Sequence, residues 1–242
     1  MTVEERLKAL FVPGRWQVKY HLAREKMRGE RELGLIPFLS DPKRISLDVG
    51  ANKGVWAEVM RHHACEVHAF EPNPKIFRML KAGAGPKVTS HFLALSDSTG
   101  MAELRVPKGR RGYSNQGASL SSEKIGDGAY GTVRVEAKRL DDMSLADIGF
   151  MKIDVEGFEL AVIEGARKTL ARCRPNLIVE IEEKHTKRPI TDLLAAVCAH
   201  GYEAFALDRG VMRRVAQIDL KTRHSLSTPS EDYIFNWIFL PL

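Results

Sequence analysis

From about residue 45 onward, short apolar and β-branched runs alternate with helical patterns along the chain. The runs are "RISLDV", "EVHAFE", "VTSHFLAL", "FMKIDV", "NLIVEI", "YEAFAL" and "YIFNWIFL". Such alternation predicts an α/β fold, a mostly parallel sheet with helices on both faces. Between the fourth and fifth runs, "GFELAVIEGARKTLARCRP" places Val162, Ile163, Ala166 and Leu170 on one helical face. Basic residues and Pro175 close that helix, as expected at a C-terminus. The last two runs are separated by a polar stretch without a clear long helix, which predicts an antiparallel pair at one edge of the sheet.

Two segments fall outside the alternation. Residues 1–44 read as one or two amphipathic helices, an N-terminal extension feeding a domain over residues 45–242. Residues 107–131, "PKGRRGYSNQGASLSSEKIGDGAYG", are rich in Gly and Ser and predict an irregular surface loop, either a lid over a site or a floppy insertion between strands.

Composition narrows the function classes. The 242 residues are 44% hydrophobic, and no apolar run approaches the roughly 18–20 residues of a membrane span. The N-terminal stretch mixes both charges through its apolar positions and lacks the core of a secretory signal, so a cytoplasmic protein is expected. Three scattered cysteines without CxxC spacing argue against a disulfide framework and a zinc site. The net charge of +6 suits an anionic partner. It is spread over the chain without a basic block interleaved with aromatics, which disfavours nucleic acid.

The chemistry concentrates in "ISLDVGANKGVW", residues 45–56. Asp48 ends a strand, Gly50 and Gly54 bracket a turn, and Asn52 stands near the N-cap of the next helix. A dinucleotide site would prefer GxGxxG with no acid at the strand end, because pyrophosphate and carboxylate repel. A nicotinamide dehydrogenase is thereby disfavoured, and a cationic ligand group is welcome. The next strand ends at Glu71 in "HAFEPNP", where a carboxylate can accept from two ribose hydroxyls. Together these features describe a nucleoside with a cationic, amino-acid-like end, which S-adenosylmethionine (SAM) fits.

The ordered motifs "LDVGANKG", "FEPNP", "ALSD", "RLDDM", "MKIDVEGFE" and "YIFNWIFLP" resemble those of the FkbM family of class I SAM-dependent methyltransferases, over roughly residues 30–242. The resemblance implies a Rossmann-like fold with a seven-stranded sheet and an antiparallel last strand. It also implies SAM as donor and O-methylation of hydroxyls on sugars or polyketide-like metabolites. By position, Asp48, Gly50 and Asn52, with the turn closed by Gly54, would face the methionine end, Glu71 the ribose, and Ser96 and Asp97 the adenine. The other reading of Asp97 is turn chemistry in "SDSTG".

Asp154 ends the fourth strand, followed by Glu156 and by Glu159 in the first turn of a helix. Ligands in open α/β sheets sit outside the carboxyl ends of strands, so Asp154 and Glu156 are expected to face the transferred methyl. Glu159 reads instead as a favourable charge at a helix N-terminus. Glu180 ends the fifth strand and His185 follows it. An acid in so apolar a run is costly unless paired or facing a polar cavity, which suggests a shared floor of Asp154 and Glu180. Methyl transfer needs the acceptor oxygen aligned and relieved of its proton. Asp154 is the first candidate base, then Glu180 and His185. Two carboxylates could hold a divalent ion, but no compact His/Asp cluster asks for one, and no metal site is predicted. The expected acceptor is a small molecule or a glycan- or lipid-linked hydroxyl. Competing readings are a nucleic-acid or protein methyltransferase and a non-catalytic SAM-binding protein. The oligomeric state stays open, a homodimer included.

Overall fold

The computed structural model describes residues 14–28, 30–109, 112–113, 117–121, 130–225 and 233–242. Strands β1 (Ile45–Val49), β2 (Glu66–Phe70) and β3 (Val88–His91) are followed by β4 (Ala94–Leu95), β5 (Gly100–Gly109), β6 (Gly112–Tyr113) and β7 (Tyr130–Lys138). Then come β8 (Ile148–Ile153), β9 (Asn176–Glu180), β10 (Tyr202–Asp208), β11 (Val211–Arg214) and β12 (Asn236–Pro241). The main sheet runs β3-β2-β1-β8-β9-β12-β10-β11. Its first five strands pair in parallel, whereas β12 is antiparallel to both β9 and β10, the expected reversed last strand. The sheet has eight strands instead of seven. The extra one, β11, forms a hairpin with β10 through Arg209 and Gly210, both at positive φ (50° and 80°), the requirement of a two-residue primed turn.

β1 and β8 are buried along their whole length, which is why they read as unbroken apolar runs. Period-two alternation still sorts their neighbours to two cores. Met151, Ile153, Val179 and Phe239 enter one apolar cluster, while Phe150, Ile178 and Ile238 enter the other on the opposite face.

A second, smaller sheet, β4-β7-β5-β6, corrects the reading of residues 107–131. β5 and β7 pair antiparallel from Gly100↔Ala137 to Pro107↔Tyr130, so the expected loop begins and ends inside a hairpin. Leu104, Val106 and Val135 bury themselves between its strands and the segment around Ala118. Residues 110–111, 114–116 and 122–129 of the expected lid lie outside the described residues. The run "VTSHFLAL" also divides, because β4 leaves the main sheet to pair with β7.

The helices are α1 (Gly14–Arg28), α2 (Ile36–Leu39), α3 (Val55–Met60), α4 (Pro74–Gly83), α5 (Glu159–Gly165), α6 (Arg167–Cys173), α7 (Glu183–Thr186) and α8 (Ile190–Cys198). Of the expected N-terminal extension, the residues before Gly14 lie outside the described chain. α1 packs tightly on α4: a Cβ on Gly83 would stand 2.4 Å from Val18 Cγ2. The single helix expected over 159–173 breaks at Ala166 (φ −109°, ψ 5°). At Gly165 a Cβ would stand 1.9 Å from the Ser96 carbonyl, so the chain leaving β4 presses against the break. Val162, Ile163, Ala166 and Leu170 still share the core as expected. Among the described residues no helix is long and apolar enough to cross a membrane.

Candidate active site

The carboxyl ends of β1, β2, β8 and β9 converge on one region. The chain leaves β1 through Gly50, at φ +81°, where a Cβ would lie 1.8 Å from the Asp154 carbonyl. The first glycine of the turn is therefore demanded by the exit of β8 rather than by a ligand. Gly50 and Ala51 both donate their amides to the Phe70 carbonyl, at 3.0 and 2.9 Å. The N-cap of α3 is Gly54, at φ +84°, not Asn52. Asn52 takes φ +48° and donates its backbone N–H to Glu71 Oε2 at 2.9 Å.

Asp48 is buried and its Oδ2 accepts from the Ala57 N–H of α3 at 2.9 Å. Burial pushes its carboxyl up to about 7, against the pull of the Ala57 amide and the Lys152 ammonium. Glu71 is also raised to about 7 by burial, while the backbone amides of Asn73 and Asn52 hold it down. Its Oε1 accepts from Asn73 at 2.8 Å and its Oε2 from Asn52 at 2.9 Å. A carboxylate offers about four lone-pair sites, so acceptor capacity remains for a vicinal pair of hydroxyls.

Asp154 follows β8 and donates its amide to the Val49 carbonyl at 2.9 Å. No hydrogen bond from a described residue reaches its side chain. Its charge pushes up the carboxyls of Asp48, Glu71, Glu159 and Glu180. Glu156 adopts φ +59°, a conformation a side chain rarely takes, and its carbonyl accepts from Ser119 Oγ at 2.7 Å. Ser119 thereby ties the segment 117–121 over this loop. Glu159 Oε1 accepts from Gly157 N–H at 2.8 Å and Val155 N–H at 3.3 Å, holding the turn that leads into its own helix. Burial pushes its carboxyl up to about 7.

Glu180 is raised well above the usual carboxylate range by burial and by the Asp154 charge. Its Oε2 lies 3.9 Å from Lys152 Nζ, an ammonium 1% exposed at the penultimate position of β8. Lys152 donates to Asn236 Oδ1 at 3.0 Å and stands 5.3 Å from the centre of the Trp56 ring. Asn236 Nδ2 and Trp56 Nε1 each donate to Glu30 Oε2 at 3.1 Å. Burial disfavours the ammonium, but the charges of Asp154, Glu30, Glu180 and Asp48 outweigh it and hold Lys152 above its ordinary value.

Two cavities open here. The first, about 680 Å³ with the open solvent at its mouth included, is walled by Glu71, Ile76, Leu93, Ala94, Leu95 and Leu120 among others. The second, about 1310 Å³, is lined by Asp48, Lys152 and Glu180 and by the basic residues His21, Arg24 and Lys53. Gly50, Asn52, Asp154 and Glu156 line both.

Three of the expected site residues stand outside the lining of both cavities. Ser96 and Asp97 line neither cavity. Ser96 Oγ donates to Asp97 Oδ1 at 3.1 Å, and the Ser96 amide is taken by the Lys138 carbonyl as β4 turns toward β7. Leu93, Ala94 and Leu95 supply that wall instead. His185 also lines neither cavity. Its Nε2 sits 3.6 Å from Glu156 Oε2 and 3.6 Å from Glu182 Oε1, behind Glu156. Among the described residues no group of three or more His, Cys, Asp and Glu is arranged to hold a metal ion.

The sequence profile described as "Methyltransferase FkbM domain" matches residues 48–204. The chain belongs to the FkbM methyltransferase family. "2-O-methyltransferase NoeI" of Sinorhizobium fredii is 27% identical over 156 residues, covering 58% of this chain and 64% of that protein. "AMB antimetabolite synthetase AmbE" of Pseudomonas aeruginosa is 30% identical over 207 residues, 67% of this chain and 10% of that protein. The chain thus spans less than two thirds of the length of these curated relatives. The crystal structure of methyltransferase FkbM from Methylobacillus flagellatus superposes with a TM-score of 0.51 at 16% identity, over 93% of this chain and 54% of that one, a likeness of fold.

The residues at these strand ends fit SAM, the cofactor of this methyltransferase family. Carboxylates at the ends of β1, β2, β8 and β9 make the cleft strongly acidic, the field that a sulfonium and an ammonium require. The sequence reading missed Lys152, Glu30, Asn236, Trp56 and Ser119. A lone lysine inside the buried run "FMKIDV" was the available signal for the first of them.

Proposed function

We propose that this chain transfers the methyl group of SAM to a hydroxyl of a sugar, a glycan or glycolipid, or a polyketide-like small molecule. The observation that carries the reading is Asp154, a carboxylate met by no donor among the described residues and standing where the two cavities join. The 27% identity to a protein named as a 2-O-methyltransferase supports a hydroxyl acceptor.

SAM supplies a methyl carbon made electrophilic by its sulfonium. Glu71 accepts from the ribose hydroxyls with the lone pairs its backbone partners leave open. Leu93, Leu95 and Ile76 give the first cavity an apolar wall suited to a base. In the second cavity Asp154 takes the acceptor proton as its oxygen closes on the methyl carbon, with Glu156 and Glu180 orienting the hydroxyl. Lys152 neutralises part of the charge on Glu180, so that two carboxyls can share one pocket. His185 acts through Glu156 as a positioning residue.

The test is S-adenosylhomocysteine formation with a panel of sugar, glycolipid and polyketide-like alcohols, for the wild type and Asp154→Asn. The variant keeps the shape and removes the charge, so kcat should fall ~10²–10⁴-fold with little change in SAM affinity. Normal turnover at saturating SAM would remove Asp154 from the chemistry.

A further inference from the structure

The second cavity is acidic where β1, β8 and β9 end and basic where α1 and the β1–α3 turn line it. His21 Nε2 and Lys53 Nζ are 3.4 Å apart, and Arg24 lines the same wall. There Lys53 Nζ donates to the neutral ring of His21, while the Lys53 and Arg24 cations on this wall repel, and an anion placed between them would turn that repulsion into two attractions. The field is felt at His21, whose imidazole is pushed below its ordinary value by burial and then by the charges of Lys53 and Arg24. Neither His21 nor Arg24 forms an ion pair with a described acid.

SAM has the charge distribution that this cavity mirrors. Its sulfonium and ammonium are drawn to the acidic floor of Asp48, Asp154 and Glu180, which repels the carboxylate borne on the same carbon as the ammonium. That carboxylate is forced to the basic side. We infer that His21, Arg24 and Lys53 hold the methionine carboxylate of SAM, making helix α1 a wall of the cofactor site. The family match begins only at residue 48, so the assignment brings into the donor site an element that the match does not include.

The inference rests on SAM as donor and on no particular acceptor, and its test needs no acceptor. Binding of SAM and of decarboxylated SAM, which keeps the sulfonium and the amine, is measured by calorimetry for the wild type, Arg24→Ala and Lys53→Ala. Loss of a charge-assisted contact to the carboxylate should weaken SAM ~5–20-fold in each variant and leave decarboxylated SAM within about twofold. Arg24 is exposed, so thermal unfolding of the unliganded Arg24→Ala protein should match the wild type and exclude misfolding as the cause. Equal weakening of both ligands would mean that these residues only shape the wall, and the inference fails. It fails also if SAM binding is unchanged and only the KM of an anionic acceptor rises, since the subsite would then belong to the acceptor.

Discussion

Replacing Lys152 by Met tests whether the acidic cleft is held together by one buried cation. The ammonium lies 3.9 Å from Glu180 Oε2, a separation at which opposite charges attract by about 4 kcal/mol at an effective dielectric near 20. Methionine keeps the volume and returns the desolvation cost of the ammonium, but leaves Asp48, Asp154 and Glu180 uncompensated and Asn236 Oδ1 without its donor. Breaking a buried pair in this way costs about 3–5 kcal/mol. For a chain of this size that corresponds to a fall in Tm of roughly 6–20 °C. The loss should depend on pH, with a definite sign. Asp48 is raised to about 7 in the folded protein and Glu180 is raised as well. A raised carboxyl contributes stability that is complete below its unfolded pKa and is lost as pH climbs through the folded value. Removing the cation pushes both carboxyls higher still. The gap in Tm between wild type and variant should therefore be small at pH 5 and widen between pH 6 and 8. Thermal unfolding followed by circular dichroism, without ligand, measures it. A gap equal at pH 5 and pH 8, or below about 1 kcal/mol at pH 8, would show that Lys152 does not balance these acids.

Two further substitutions probe the donor side. Glu71→Ala should weaken SAM ~10–100-fold in calorimetry, because charged hydrogen bonds to the ribose are lost in a largely dry site; unchanged affinity would exclude the ribose role. Gly50→Ala places a methyl 1.8 Å from the Asp154 carbonyl at a backbone φ of +81°. It should cost about 2–6 kcal/mol and abolish SAM binding, and a variant of normal Tm would show that the β1 and β8 exits can part freely.

How much of this was legible in the chain depends on how local each signal was. Asp48, Glu71 and Asp154 end their strands within a few residues of an apolar run, so pattern alone put them at the carboxyl edge. The β5–β7 hairpin was also written locally, in the alternating "MAELRV" and "TVRVEA", but neither run was read as a strand, and the loop expected over 107–131 took in only their ends. The break at Ala166 had no local sign. It arises because Gly165 meets the Ser96 backbone, a contact across some 70 residues. Ser96 and Asp97 stand outside the lining of both cavities for a related reason: the position of β4 is set by pairing with β7, which nothing in "ALSD" announces. Glu30 and Asn236 meet Lys152 only through tertiary folding, at 206 residues' separation from each other.

The placement of the polar network limits what kinship can say about this chain. Asp48, Glu71, Asp154 and Glu180 all fall inside residues 48–204, the segment that the family profile matches. The groups that set the charge on those acids do not. Glu30 precedes β1, and Asn236 lies on β12, both beyond the matched segment, yet they hold the buried ammonium that faces Glu180. His21 and Arg24, which line the second cavity, lie outside it too. A relative can therefore keep all four acids and still present a different field and a different wall in the second cavity. Function is carried by the site rather than by the fold, and here one wall of the second cavity and two partners of its buried ammonium come from parts of the chain that the family match does not reach. Exchanging residues 14–39 with the corresponding helices of another family member should accordingly weaken SAM more than decarboxylated SAM in calorimetry, and a chimera that binds both as the wild type does would show that this wall does not touch the cofactor.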